Sequence, residues 1–206
     1  MLRVGLTGGI ASGKTTVAYM LRERDCMVLE ADPLGHELLE PGQAAYDEIV
    51  SEFGSAILAP EGKIDRGKLG TIVFADPQKR SQLNKILHPR ILEVVRKWFA
   101  ALDQPDGPEF AFVEAALIVE AGFHKELDRL VVCWSRPEQQ LKRLEGRELS
   151  EEDAQRRIDA QMPAEEKRRL ADIVIDCSGT IEETERQVNA LLEKLKQAAT
   201  PGRNFS

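Results

Sequence analysis

The segment Gly8-Gly9-Ile10-Ala11-Ser12-Gly13-Lys14-Thr15 has the spacing G-x-x-x-x-G-K-[ST], the pattern a chain uses to wrap a polyphosphate. Its glycines let backbone N–H groups turn inward around phosphate oxygens, and a helix starting after it adds the partial positive charge of its N-terminus. Lys14 can reach the β and γ phosphates, and the Thr15 hydroxyl can hold a magnesium ion. The flanks agree: Leu2–Thr7 reads as a short buried strand, and Lys14–Arg24 as a helix with Val17, Ala18, Met20 and Leu21 at helical spacing. The chain is predicted to bind a nucleoside triphosphate.

Other residues could act on that ligand. Asp32 directly follows an apolar run, in Leu29-Glu30-Ala31-Asp32-Pro33. A carboxylate at the carboxyl end of a strand borders the ligand crevice of an open parallel sheet. It could take the proton of a hydroxyl attacking the γ-phosphorus, or bind a water on magnesium. Asp before Pro is equally a helix start, with Asp32 as cap and Pro33 at the first helical position. Glu114 and Glu120 flank the end of a later apolar run and the helix expected after it, where each could serve magnesium or start the helix. His88-Pro89 reads as the opening of a long helix beside Lys85 and Arg90, suited to an anionic ligand or to a structural role. Arg136, Lys142, Arg143, Arg147, Arg156, Arg157, Lys167, Arg168 and Arg169 interleave with acidic residues. They read either as a solvated helical hairpin laced with ion pairs or as a lid bringing arginines over the triphosphate. No Asn-Lys-x-Asp guanine-reading motif appears, and no second strand ends in paired acidic residues, so a GTPase switch and a mechanical ATPase are disfavoured. What remains is a small-molecule kinase.

The elements that must position these residues form an alternating pattern. Leu2–Thr7, Met27–Glu30, Phe110–Glu114, Arg129–Trp134 and Ile173–Asp176 read as buried strands with helical stretches between them, which implies a mostly parallel sheet covered on both faces. The gap from Ala31 to Glu109 exceeds a simple crossover and holds its own helical patterns, clearest at Gln43–Phe53 and Pro77–Leu102. It reads as a second lobe for the other substrate. A final helix, about Ile181–Gln197, should pack on the sheet through Ile181, Val188, Leu191, Leu192 and Leu195, with a tail from Thr200.

Composition sets the bounds. With 206 residues, 42% of them apolar and 31% charged, the chain can bury one substantial α/β core with appendages. A net charge of −7 argues against a general nucleic-acid binder. Cys26, Cys133 and Cys177 are odd in number and lack metal-ligand spacing, so free thiols in a reducing compartment are expected. The N-terminal apolar run stops at Thr7, which is no cleavable signal, and no run approaches membrane-spanning length. A cytoplasmic protein without a membrane partner is expected, read as a monomer with a homo-oligomer left open.

Taken together, these residues resemble the dephospho-coenzyme A kinase family. The stretch Gly5–Ala18 is similar to that family's form of the phosphate loop, and Ala31-Asp32 with Glu40-Pro41-Gly42 to its Asp-Ala-Asp and Glu-Pro-Gly segments. Leu87-His88-Pro89, Leu117-Ile118-Val119-Glu120, Gln140-Leu141-Lys142-Arg143 with Arg147, and Arg157-Ile158 with Gln161 continue the match in order. The resemblance implies a three-layer α/β kinase core with a five-stranded parallel sheet, a helical acceptor-binding insertion and a helical lid. The core would comprise 1–32, 109–135 and 171–200, the insertion 33–108 and the lid 136–170. It implies that Asp32 is the base for the 3′-hydroxyl of the dephospho-coenzyme A ribose. Lys14 and the loop residues Gly8, Gly9, Ala11, Ser12, Gly13, Thr15 and Thr16 would hold ATP, with Thr15 on Mg2+. Arg143 and Arg147 would close over the phosphates, while His88, Leu117 and Glu120 would lie toward the acceptor. Three positions depart from the family: Glu30 for the first Asp, Ala116 for a Pro, and Cys177 for an Asn near where adenine should lie. The last would relax nucleotide choice. The alternatives are a nucleoside monophosphate kinase or related metabolite kinase, and an ATP-binding regulatory module without catalysis.

Overall fold

The computed structural model describes residues 1–146 and 150–199, so Arg147 and the tail from Thr200 lie outside the described residues. In chain order the elements are β1 (Leu2–Gly8), α1 (Lys14–Arg22), β2 (Met27–Glu30), α2 (Asp32–Glu37), α3 (Tyr46–Phe53), α4 (Arg66–Ala75) and α5 (Pro77–Leu102). Then follow β3 (Phe110–Glu114), β4 (Arg129–Trp134), α6 (Pro137–Glu145), α7 (Glu151–Asp159), α8 (Ala164–Leu170), β5 (Ile173–Asp176) and α9 (Ile181–Ala199). The chain forms two compact units: Met1–Leu29 with the described residues from Trp98 onward, and Glu30–Lys97.

The first unit is built on a five-stranded parallel sheet of order β2-β3-β1-β4-β5. β1 runs beside β3, with Leu2 opposite Phe110 and Leu6 opposite Glu114, and beside β4, with Val4 opposite Arg129 and Gly8 opposite Cys133. Chain order reverses across this strand, so its carboxyl end opens at the switch point where ligands bind in such sheets. The inner strands are mostly apolar and buried over their central residues, with polar residues such as Arg3, Glu114 and Arg129 toward their ends, because both faces are covered. On one face Val4, Leu6, Phe112, Val131 and Ile175 meet Val17, Ala18 and Leu21 of α1 and Val188, Leu191, Leu192 and Leu195 of α9. The i, i+3, i+4, i+7 spacing of the α9 set accounts for that helix. On the other face a Cβ on Gly5 would lie 2.5 Å from the Leu127 side chain, so the chain beyond β3 presses directly on β1.

Three sequence expectations are corrected here. No helix follows β3: 115–122 is a succession of turns leading to a 3-10 turn at Phe123–Glu126. The segment expected as a helical hairpin forms three helices, α6, α7 and α8. Its Lys167, read among solvated cations, is completely buried.

The second unit has its own core of Leu39, Ala45, Ile49, Ile57, Ile64, Leu69, Val73 and Ile86. A tight turn at Pro60-Glu61-Gly62, closed by the Gly62 amide on the Ala59 carbonyl at 2.9 Å, brings Leu58 into an antiparallel bridge with Ile64. Asp65 then caps α4, accepting from the amides of Gly67 and Lys68. His88-Pro89 does not open the long helix but sits inside α5. Proline there removes one backbone donor. Beside it, the Arg90 guanidinium donates to the Ile86 carbonyl at 2.6 Å and to Glu48 at 2.6 Å.

Candidate active site

The loop between β1 and α1 is held open by two left-handed residues, Ala11 at φ 58° and Gly13 at φ 100°. That conformation costs a non-glycine residue about 1–2 kcal/mol, so Ala11 marks stored strain at the loop. Gly13 occupies the cap position of α1 and supplies no side-chain acceptor. The first amides of the helix are therefore left to an incoming anion. Packing beneath the loop is close: a Cβ on Gly8 would lie 2.5 Å from the Cys133 carbonyl, and one on Gly13 would lie 2.8 Å from Cys177 Cβ. Glycine is needed at both places for close approach, and at Gly13 for the left-handed backbone angle as well. Thr15 and Thr16 are exposed in the first turn of α1.

Lys14, largely buried, pairs its ammonium with the Glu114 carboxylate at the end of β3. Glu114, expected beside magnesium or at a helix start, thus serves as the lysine's partner. Thr7 donates its hydroxyl to the Ala116 carbonyl at 3.2 Å, tying the strand before the loop to the turn after β3.

The helices of 136–170 contribute several contacts. Arg143 of α6 donates to the Ala11 carbonyl at 3.0 Å and to the Cys177 carbonyl at 2.7 Å, bracing the strained residue of the loop against the end of β5. Gln161 accepts from the Ile10 amide at 2.9 Å. Glu120 accepts from the Met162 amide at 3.0 Å and from Lys167 at 2.8 Å. Leu117 lies half-buried in the same turn. Gln140 packs its amide against Gly9, where a Cβ would come within 3.2 Å of Nε2, and that buried nitrogen has no protein partner. The buried Ser12 hydroxyl also lacks one. Two such atoms against one loop are free to engage phosphate or water.

Beneath Gly13 lies a thiol pair. Cys133 donates to the Cys177 sulfur, drawing the Cys177 thiol below its ordinary range, while burial drives Cys133 well above its own. Cys177 is 5% exposed, so it forms the floor of the phosphate loop.

The second unit holds the remaining candidates. Asp32 is the first residue of α2, and the cap position belongs to Ala31. The sequence left Asp32 open as cap; it sits one position further on, exposed in the first turn of the helix. One turn on, His36 faces Arg66 at 3.0 Å. Partial desolvation and then Arg66 hold its imidazole below the usual value, against the opposing charge of Asp32. His88 lies half-buried in the middle of α5.

The residues that sequence reasoning passed over are Glu114 as the lysine's partner, Lys167 and the Cys133–Cys177 pair. The signal available for the first was register: Glu114 ends the strand beside β1, one step from the loop. The arrangement as a whole can hold a polyphosphate on backbone amides and one ammonium.

Comparison with known proteins agrees in extent and kind. Residues 2–183 match the family described as dephospho-CoA kinase. The chain is 44% identical to the dephospho-CoA kinase of Aquifex aeolicus over 195 residues, covering 95% of this chain and 98% of that protein. It is 43% identical to the one from Carboxydothermus hydrogenoformans over 194 residues, 94% of each. Its fold is similar to the solved dephospho-CoA kinase of Campylobacter jejuni, with a TM-score of 0.70, 28% identity, and coverage of 96% of this chain and 98% of that one.

Proposed function

The chain belongs to the dephospho-CoA kinase family, and from that premise we propose which of its residues carry the family's reaction. The reaction moves the γ-phosphoryl group of ATP to the 3′-hydroxyl of the dephospho-CoA ribose, the last step of coenzyme A synthesis. The single observation that supports the residue roles is the uncapped, strained loop Gly8–Thr15 between the central strand and α1.

The amides of Gly8, Gly9, Ala11, Ser12, Gly13, Lys14, Thr15 and Thr16 cradle the phosphates of ATP, and Lys14 turns its charge toward the β and γ groups. Arg143 braces the loop through the Ala11 and Cys177 carbonyls and, with Arg147, offsets charge as the phosphoryl group moves. Asp32 accepts the proton of the 3′-hydroxyl as its oxygen bonds to the γ-phosphorus and the bond to ADP breaks. A base is needed because the acceptor is an alcohol. His88 and Leu117 are assigned to the acceptor. Glu120, expected beside them, has its carboxylate engaged by Lys167 and the Met162 amide, so it acts through the fold of its turn.

Among the described residues no three His, Cys, Asp or Glu side chains converge on a metal position. Thr15, exposed in the first turn of α1, would hold Mg2+ beside the nucleotide's phosphates. Bound there, it would neutralise phosphate charge. The helical segment 136–170 is assigned as lid and 33–108 as the acceptor-binding insertion. Among the described residues no helix is long and apolar enough to cross a membrane, in keeping with a proposed cytoplasmic site of action.

A coupled assay with dephospho-CoA, AMP, CMP and shikimate as acceptors tests this reading, with the product's phosphate located by NMR. Turnover fastest with dephospho-CoA and a 3′-phosphate is expected. Faster turnover with any other acceptor would reject it.

A further inference from the structure

Lys167 of α8 is 0% exposed, and its ammonium reaches the Ala116 carbonyl at 2.6 Å and the Glu120 carboxylate at 2.8 Å. Each of those acceptors is shared. The Ala116 carbonyl also receives the hydroxyl of Thr7, the residue before the phosphate loop, at 3.2 Å. The Glu120 carboxylate also receives the amide of Met162 at 3.0 Å. The neighbour of Met162 is Gln161, whose side-chain oxygen holds the Ile10 amide inside the loop at 2.9 Å. The strand feeding the loop, the turn after β3 and the returning arm of 136–170 therefore meet at one ammonium.

Stability alone is a weak reason for such a pair. Desolvating an ammonium and a carboxylate offsets most of their attraction, and apolar residues of similar volume usually serve a core as well or better. Here the bonds converge on the loop that takes the phosphates, and they fix the position of Gln161 against it.

We infer that Lys167 is a positioning residue for nucleotide binding: with Glu120 it pins the segment around Gln161 so that the first half of the phosphate loop is held in its anion-binding shape. This rests on the kinase reading above. Without the ammonium, Glu120 loses its counter-charge and Met162 its fixed acceptor. Gln161 then leaves Ile10, and the loop must be reordered each time ATP binds. The Gln161 bond ends on the phosphate loop and not on the turn that carries Leu117, so the larger effect falls on ATP.

The test compares Lys167→Met, Lys167→Arg and Gln161→Leu with the parent chain. Hydrogen exchange is followed at the peptide containing Ile10 and at peptides from β4, and KM is measured for each substrate. In Lys167→Met, KM for ATP should rise by about 3- to 30-fold with KM for dephospho-CoA within about 2-fold, and exchange at Ile10 should accelerate while β4 stays protected. Lys167→Arg, which keeps charge and donors, should recover most of both. Gln161→Leu leaves the buried pair intact, so it should fold and reproduce the same pattern. Unchanged exchange at Ile10 and equal effects on both KM values in Gln161→Leu would overturn the inference. So would a Lys167→Met protein with lower thermal stability alone. Failure of the parent chain to use dephospho-CoA would instead reject the kinase reading, and the exchange measurement would still report on the pin.

Discussion

Glu114, the last residue of β3, holds the ammonium of Lys14, and the two side chains are only 6% and 12% exposed. The lysine is thus a paired charge, and its removal strands a buried carboxylate. Lys14→Ala should cost about 1–3 kcal/mol of stability from the uncompensated Glu114. It should also weaken ATP binding by about 10- to 100-fold, the worth of one charge-assisted contact. Adding Glu114→Gln should restore most of the stability and none of the affinity. Calorimetric titration and thermal melts separate the two effects. Recovery of ATP affinity in the double variant would mean that Lys14 acts only as a structural partner.

Arg143 spans the Ala11 and Cys177 carbonyls with two arms of one guanidinium. If its work is to brace the loop, geometry matters more than charge. Lysine offers a point charge without the planar fork. Arg143→Lys should therefore behave nearly as Arg143→Ala does, with ATP affinity lowered by about 3- to 30-fold, the loss of one or two hydrogen bonds. Full activity in the lysine variant would show that charge over the phosphates is the whole contribution.

Much of this frame was legible in the chain. β2 to β5 fall on the residues read from apolar runs, although only β3 and β4 are largely buried while β2 is half-exposed. The phosphate loop could be read because its backbone angles demand glycine at fixed offsets. What could not be read depends on contacts distant in sequence. Lys167 looks like its solvated neighbours Arg168 and Arg169 until α8 turns it inward onto Ala116, 51 residues away. Pro89 signals a helix boundary by local rule, yet α5 continues through it, with Ile86, four residues before Arg90, buried in the second unit's core. The turns after β3 carry apolar residues at spacings that a helix would also show, and Ile118 among them packs toward Gly5 of β1.

Asp32 stands exposed at the first position of α2, one residue past the cap. Asp32→Asn keeps its shape and should leave both α2 and ATP affinity intact. Turnover should fall by about two to four orders of magnitude, the usual worth of a positioned base. Steady-state rates beside an ATP titration check this. Near-normal turnover would remove Asp32 from the proton transfer.

His36 accepts from Arg66 through its ring nitrogen, an arrangement that needs the neutral imidazole. Its value in the folded chain lies below the ordinary 6.5, through partial desolvation first and the Arg66 charge second. The unfolded chain then takes up a proton first as pH falls through 6.5, so stability drops from there until the folded group also titrates. Above that window the residue has no effect. Melts from pH 8 to 5 should show a shallower loss for His36→Gln than for the parent chain. Parallel curves would exclude this coupling.

The resemblance puts Cys177 where an asparagine commonly stands, which implies a weakened contact to the base. The structure packs that side chain beneath the phosphate loop. It lies under Gly13, its sulfur 2.9 Å from where a Cβ there would be, and its thiol closes a chain from Cys133 to the Ile175 carbonyl at 3.7 Å. A larger amide would have to displace the loop or break the thiol pair. Cys177→Asn should therefore lose about 1–3 kcal/mol, as overpacked cores do. The ratio of kcat/KM for ATP to that for GTP should stay within about 3-fold of the parent's, since a base contact worth having would change it by about tenfold or more. A tenfold gain in ATP preference with unchanged stability would place residue 177 at the base after all.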